Sequence, residues 1–193
     1  MIWQDGQYKS GSLYPLPAGI NLYDFSRSNA LNNGQDQIVA FSSKGEIMLY
    51  NQNGETIWKD TERYGGSRLY IEVPKVSYPR ETIGYYLPQR IHVTDIDRDG
   101  LNEIIVLKNI DSAKLMPRTK IFKEGYVASL SYDDIGTQLK WQTRQILGYI
   151  SDYVIGDFNN DGIKEIVMSV VTKKQFLLGK GKSYIMSCRP VNE

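Results

Sequence analysis

Asp95-Ile-Asp-Arg-Asp-Gly-Leu-Asn-Glu-Ile-Ile-Val-Leu107 returns in outline as Asp157-Phe-Asn-Asn-Asp-Gly-Ile-Lys-Glu-Ile-Val-Met-Ser169. In both copies oxygen-bearing side chains stand at positions one, three and five. A glycine follows, a glutamate sits at nine, and an apolar, β-type run begins at ten. Hard cations such as Ca²⁺ take six to eight oxygens at about 2.3–2.6 Å, and alternating carboxylates on a curled backbone supply several of them from one short segment. The spacing assigns Asp95, Asp97, Asp99 and Glu103 by side chain with Leu101 by its carbonyl, and likewise Asp157, Asn159, Asp161 and Glu165 with the carbonyl of Ile163. Two Ca²⁺ sites are therefore expected.

An EF-hand shares the first six positions but needs a glutamate at position twelve and a helix on each side. Position twelve is Val106 in one copy and Met168 in the other, both inside apolar, β-branched runs. The loops are accordingly flanked by strands. Asp, Asn and Gly also dominate ordinary turns for reasons unrelated to metals. A glutamate shared at position nine is what turn chemistry alone does not require.

The repeat extends beyond the loops. The two copies start 62 residues apart, and a weaker copy stands upstream at Asp24-Phe-Ser-Arg-Ser-Asn-Ala-Leu-Asn-Asn-Gly-Gln-Asp-Gln-Ile-Val-Ala-Phe41. Read from Asp24, this copy carries five inserted residues, Ser26 for the second acid and Gln37 for the glutamate. That reads as a decayed loop which has kept its fold and lost its metal. Between the loops, Gly45-Glu-Ile-Met-Leu-Tyr-Asn-Gln-Asn-Gly-Glu-Thr-Ile-Trp58 matches the Gly125 to Trp141 stretch, each with the alternation and Asn/Asp-Gly turn of a β-hairpin. With Arg90–Thr94 and Asp152–Gly156 as fourth strands, the pattern predicts an all-β chain of four-stranded antiparallel β-propeller blades at a period near 60.

On these residues the chain resembles FG-GAP or VCBS-type repeats, the calcium-binding β-propeller repeats of integrin α-subunits and many bacterial surface proteins. The Gly-hairpin-Trp pattern is similar to quinoprotein propeller repeats. The resemblance covers most of the chain and implies that each acidic loop joins the outer strand of one blade to the inner strand of the next. The implied function is a non-enzymatic, extracytoplasmic scaffold or binding module for a protein or glycan. The alternative it carries is an accessory or partial catalytic propeller of a larger enzyme, of polysaccharide lyase or quinone-dependent dehydrogenase type.

The expected units are 24–94, 95–156, and 157–193 joined to 1–23 as a split blade, because Ile2-Trp-Gln matches the third-strand position of Trp58 and Trp141. Three blades are fewer than the roughly four to eight of a closed propeller. Continuation into further blades, or self-association, is the expected remedy. Residues 61–88 interrupt a blade and hold Tyr64, Tyr70, Tyr78, Tyr85 and Tyr86, candidate partner-binding residues on a long loop. The lysines of Asn109–Lys123 and Thr172–Lys182 read as solvated hairpin surface.

Composition narrows the field further. A net charge of +1 over 193 residues gives no bulk field for nucleic acid or an anionic membrane. No apolar run approaches the roughly 18 residues of a membrane span. Met1-Ile-Trp-Gln-Asp is not a signal peptide, so an export signal is expected to have been lost or to reside in a longer parent. One cysteine, Cys188, forms no internal disulfide, and one histidine, His92, leaves triads and multi-His zinc sites without material. His92 is expected on the solvent face of its strand. Gly181-Lys182-Ser183 lacks the spaced glycine and following helix of a P-loop, since Phe176 stands where the glycine belongs. Asp133-Asp134 reads as a hairpin turn, and the tryptophans as packing between blades.

Overall fold

The computed structural model describes residues 2–11, 16–20, 23–78, 80–112, 120–172 and 181–190. Among them there is no helix. The strands fall into three larger antiparallel sheets and two separate hairpins. The first sheet is a meander of β3 (Phe25–Ser28), β4 (Gln37–Phe41), β5 (Glu46–Tyr50) and β6 (Thr56–Arg63). The second runs β9 (Ile91–Thr94), β10 (Glu103–Asp111), β11 (Phe122–Asp133) and β12 (Gly136–Gln142), with β13 (Ile146–Leu147) also on β11. The third has β14 (Tyr149–Gly156), β15 (Glu165–Thr172) and β16 (Lys182–Cys188). The hairpins are β1 (Ile2–Gln4) with β2 (Gln7–Lys9), and β7 (Tyr70–Pro74) with β8 (Thr82–Tyr86). Among the described residues the sheets form no closed barrel or closed ring.

Registers correct the expected unit boundaries. Thr94 pairs with Glu103 and Gly156 with Glu165, so the strands on either side of each acidic loop belong to one sheet. The loop is a hairpin connection that folds the chain back on itself; it does not pass from one sheet to the next. Strands β9 and β14, expected to close the preceding unit, instead open the following sheet. Ser28 pairs with Gln37 in the same way, which moves the upstream loop to Asn29–Asp36 and removes the five-residue insertion read from Asp24. Asp24 lies one strand earlier.

Stacking follows the period-two alternation of side chains. Val39, Phe41, Ile47 and Leu49 of the first sheet pack on Ile104, Val106, Ala128 and Leu130 of the second. The opposite face of the second, Ile105, Leu107 and Val127, packs on Ile150, Tyr153, Ile166, Met168 and Val170 of the third. Leu16 and Ile20 cover Ile38, Ala40 and Tyr50 on the far side of the first sheet. Strand β4 and the first five residues of β10 are therefore buried on both faces, as their continuous apolar runs imply.

Side chains tie the stack laterally. Asn109 donates to Gly66 O at 2.7 Å and Ile150 O at 2.8 Å and accepts from Ile150 N–H at 3.1 Å, joining the second sheet to the third. The fully buried Tyr153 hydroxyl donates to Ile105 O at 2.7 Å and Arg90 O at 2.9 Å. Trp58 crosses from the first sheet to the second, donating to Thr137 Oγ1 at 3.3 Å. Its ring lies so close to Gly136 that a Cβ there would come within 2.4 Å. Trp141 packs toward the third sheet. Both tryptophans thus serve the inter-sheet packing expected of them. Asp133 accepts the Ile135 and Gly136 N–H groups at 2.8 and 3.0 Å, confirming its turn role.

His92 departs from expectation: it is half-buried, edge-on to the Tyr153 ring at 5.1 Å, with Nε2 buried and unpartnered. The strand face assigned to solvent is covered by the neighbouring sheet. Burial holds its pKa below the ordinary value, with Arg90 adding in the same direction and a hydrogen bond to the Tyr153 backbone, then Asp152, opposing. A base depressed in the folded state binds its proton more readily when unfolded, so stability rises with pH across that window. We expect the urea midpoint to decrease as the pH is lowered from about 7.5 to about 5.5, an interval that brackets the histidine reference of about 6.5. His92→Gln should flatten that dependence; an equal fall in the variant would assign it elsewhere.

The 61–88 segment also resolves. Its first residues extend β6, and β7–β8 forms a hairpin between the first and second sheets in chain order. Tyr64 is half-buried against the first inter-sheet core with Lys108 Nζ 5.4 Å from its ring centre, which is a packing role and not a contact surface. Tyr70, Tyr78 and Tyr85 are exposed, and Tyr86 leans on Tyr70 with ring centres 5.5 Å apart. The basic connections lie largely outside the described residues, as do Phe176 and part of the 1–23 unit. Ser183–Met186 is strand, in line with rejection of the P-loop.

Candidate metal centre

Three hairpin loops, at 29–36, 95–102 and 157–164, share one backbone form. Each takes a left-handed residue at position four and a glycine with positive φ at six: Asn32 and Gly34, Arg98 and Gly100, Asn160 and Gly162. Glycine meets the second demand without a Cβ penalty. Position one then caps the curl. Asp95 accepts the Gly100 N–H at 2.9 Å, Asp157 that of Gly162 at 2.8 Å, and Asn29 that of Gly34 at 3.2 Å. Position five accepts from position seven in all three, from Leu101, Ile163 and Gln35 N–H at 2.8, 2.9 and 3.0 Å. Position nine reaches back, Glu103 to Ile96 N–H at 3.1 Å, Glu165 to Phe158 N–H at 2.8 Å and Gln37 to Leu31 N–H at 3.0 Å.

The three differ in charge. In the upstream loop amides replace carboxylates, with Asn29, Asn33 and Gln37 at positions one, five and nine, and Gln37 Nε2 donates directly to Asn33 Oδ1 at 3.2 Å. The Asp95 loop instead draws four carboxylates together: one oxygen each of Asp95, Asp97, Asp99 and Glu103 lies within 4.8 Å of the others. Glu103 is only 1% exposed. Burial pushes its carboxyl above the ordinary range and Asp97 adds to the rise, while the Ile96 N–H and Lys140 pull the other way. Among the described residues this is the one group of acids so gathered; Asp157, Asp161 and Glu165 do not meet within that distance.

A cation already stands in each acidic loop. Lys140 Nζ, from β12, lies 2.8 Å from Asp97 and 3.0 Å from Glu103 and also contacts Asp99. Its ammonium sits among three of the four carboxylates that could hold a metal ion. Burial acts to lower the Lys140 pKa, but hydrogen bonds to the three carboxylates outweigh it and hold the group above the ordinary lysine value. Lys140 together with the Leu101 N–H holds Asp99 below the usual carboxylate range. In the other loop Arg189 contacts Asp161 and donates to Glu165 at 2.9 Å. Neither Lys140 nor Arg189 was visible as a site residue in the sequence, because each reaches its loop through strand register and not through local spacing.

One ammonium against four carboxylates leaves a surplus of negative charge in the Asp95 bowl. All side-chain donors are hard oxygens, which suits an alkaline-earth ion and not a softer metal. The loops also meet one another. Asn102 N–H donates to Asn32 Oδ1 at 2.7 Å, Asn32 Nδ2 to Asn102 O at 3.1 Å, Arg98 to Gly162 O, and Lys164 Nζ to Thr94 Oγ1 at 3.1 Å. Whatever fixes one loop therefore bears on its neighbours. A scan against protein-family models and searches of curated proteins and of solved structures find no match to this chain.

Proposed function

We propose that this chain is a calcium-stabilised β-sheet scaffold, a segment of an FG-GAP/VCBS-like propeller that acts as a non-enzymatic binding module for a protein or glycan outside the cytoplasm. The observation that carries the metal reading is the contrast among the three loops. The amide loop makes the same position-one and position-five capping bonds as the other two, so turn chemistry does not call for carboxylates. The four acids at Asp95, Asp97, Asp99 and Glu103 supply charge beyond what the turn uses, and a cation is what that charge accommodates. Ca²⁺ would take those side chains with the Leu101 carbonyl. The Asp157 loop, with Asn159, Asp161, Glu165 and Ile163, is the weaker second site. The exposed tyrosines of the β7–β8 hairpin, Tyr70, Tyr78 and Tyr85, are the surface offered to a partner, on a module the metal stiffens.

In this reading Ca²⁺ and the Lys140 ammonium compete for one bowl. Lys140→Met removes the competitor and keeps the stem's volume. Isothermal titration should show Ca²⁺ binding to the parent and tighter binding to Lys140→Met, by about tenfold for one removed charge at contact distance. Absence of heat with both proteins would show that the four carboxylates do not hold Ca²⁺ even with the ammonium gone, and would dispose of the calcium reading.

A further inference from the structure

The third sheet stops one strand short of the other two among the described residues. Its β16 is exposed along most of its length. Its outward face is open as well. Val39 and Phe41 of β4, and Ile105 and Leu107 of β10, are buried under the next sheet. Their counterparts Val167 and Ser169 of β15 are only half-buried, and beside them Val154 and Ile185 are 51% and 63% exposed. The groove between β12 and β16 is lined by Trp141, Met168, Met186 and Cys188. The Trp141 indole N–H there is buried without a partner, whereas the Trp58 indole finds a fourth-strand hydroxyl on its neighbouring sheet.

The fourth strands of the complete sheets share a register. In the first sheet Val39 pairs with Leu49, which pairs with Trp58; Met48 pairs with Lys59. In the second, Ile105 pairs with Ser129, which pairs with Trp141; Ala128 pairs with Gln142. In the third, Val167 pairs with Ser187, and the row ends there. The one remaining Trp-bearing strand is β1, Ile2-Trp-Gln4, which repeats the Ile-Trp of β6 and the Trp-Gln of β12. Among the described residues Trp3, 62% exposed, touches only the Tyr8 ring as an aromatic partner, and β1 pairs only with β2.

We propose that the third sheet is completed by β1 of a second copy of this chain, running antiparallel to β16 with Trp3 opposite Ser187 and Gln4 opposite Met186. A second copy is the source proposed because β1 leads into the first sheet, which lies on the other side of the second sheet from β16. The first and third sheets each share a core with the second, and no core joins them to each other. A reciprocal exchange between two copies is an isologous, two-fold arrangement. It brings six sheets together, inside the roughly four to eight of a closed propeller, and covers an edge strand that otherwise invites indiscriminate pairing.

The test is run in chelator, so that its failure is distinct from failure of the calcium reading. Light scattering on the 193-residue chain should give twice 22.1 kDa. Trp3→Ala, at an exposed position that leaves each copy's core intact, should weaken the dimer by about tenfold or more, as loss of an interface tryptophan does. Gln4→Cys/Met186→Cys on a Cys188→Ser background should form a reducible dimer on oxidation. A parent that remains monomeric at millimolar concentration, a dimer indifferent to Trp3→Ala, or a disulfide that closes within one chain would each overturn the proposal.

Discussion

Asn109→Leu is expected to cost the fold about 3 kcal/mol, since the Ile150 N–H and C=O lose their Asn109 partner and unpaired buried polar groups cost roughly 1–3 kcal/mol each, while the Gly66 carbonyl keeps the Gln89 amide at 3.2 Å. The side chain is 7% exposed and engages Gly66 O, Ile150 O and Ile150 N–H at once. Leucine has similar bulk and meets none of them. For a domain of this size the loss corresponds to a fall in Tm of about 6–12 °C, taking roughly 2–4 °C per kcal/mol. Urea unfolding should show a lower midpoint with an unchanged slope. A loss below about 1 kcal/mol, within the ordinary range for surface substitutions and their neighbours, would mean that the second and third sheets are held together by their apolar core alone.

The second large effect belongs to the Asp95 loop. A ligand that binds only the folded state adds about 2.7 kcal/mol at a hundred times its dissociation constant. Thermal unfolding of the parent should shift upward with Ca²⁺ accordingly. The triple variant Asp95→Asn/Asp99→Asn/Glu103→Gln installs the amide set that the chain already uses at Asn29, Asn33 and Gln37. It should fold, keep its far-ultraviolet spectrum, and lose the calcium shift. A variant that fails to fold would show that the carboxylates serve the turn itself, and a shift of unchanged size would place the ion elsewhere.

The acidic loops, their strand-flanked character and the three-fold repeat were legible because position-specific oxygens, a glycine and an apolar run sit within thirteen consecutive residues. Assignment of loops to sheets was not legible in the same way. A strand of four residues, such as Ile91–Thr94, has no composition that says whether it pairs backward with β6 or forward with β10; the Thr94–Glu103 pairing decides it. Asp24 is the one acid near the start of the upstream copy, and an alignment by charge therefore begins there. The amide series at the same nine-residue spacing, Asn29 to Gln37, carries no charge and so does not stand out as a copy of the acidic loops. His92 was misplaced for a related reason: alternation along one strand identifies two faces, but a chain whose sheets stack buries both.

Lys140 and Arg189 could not be read in advance, since only the folded register carries them to the carboxylates. On the proposed calcium reading they make ion binding a competition with a resident side-chain cation. Anomalous diffraction from a crystal grown with Ca²⁺ at saturating concentration addresses that directly. A peak among the Asp95, Asp97, Asp99 and Glu103 oxygens, with Lys140 Nζ displaced from them, is the expected result. A loop with no peak and the Lys140 ammonium still seated among the carboxylates would contradict it.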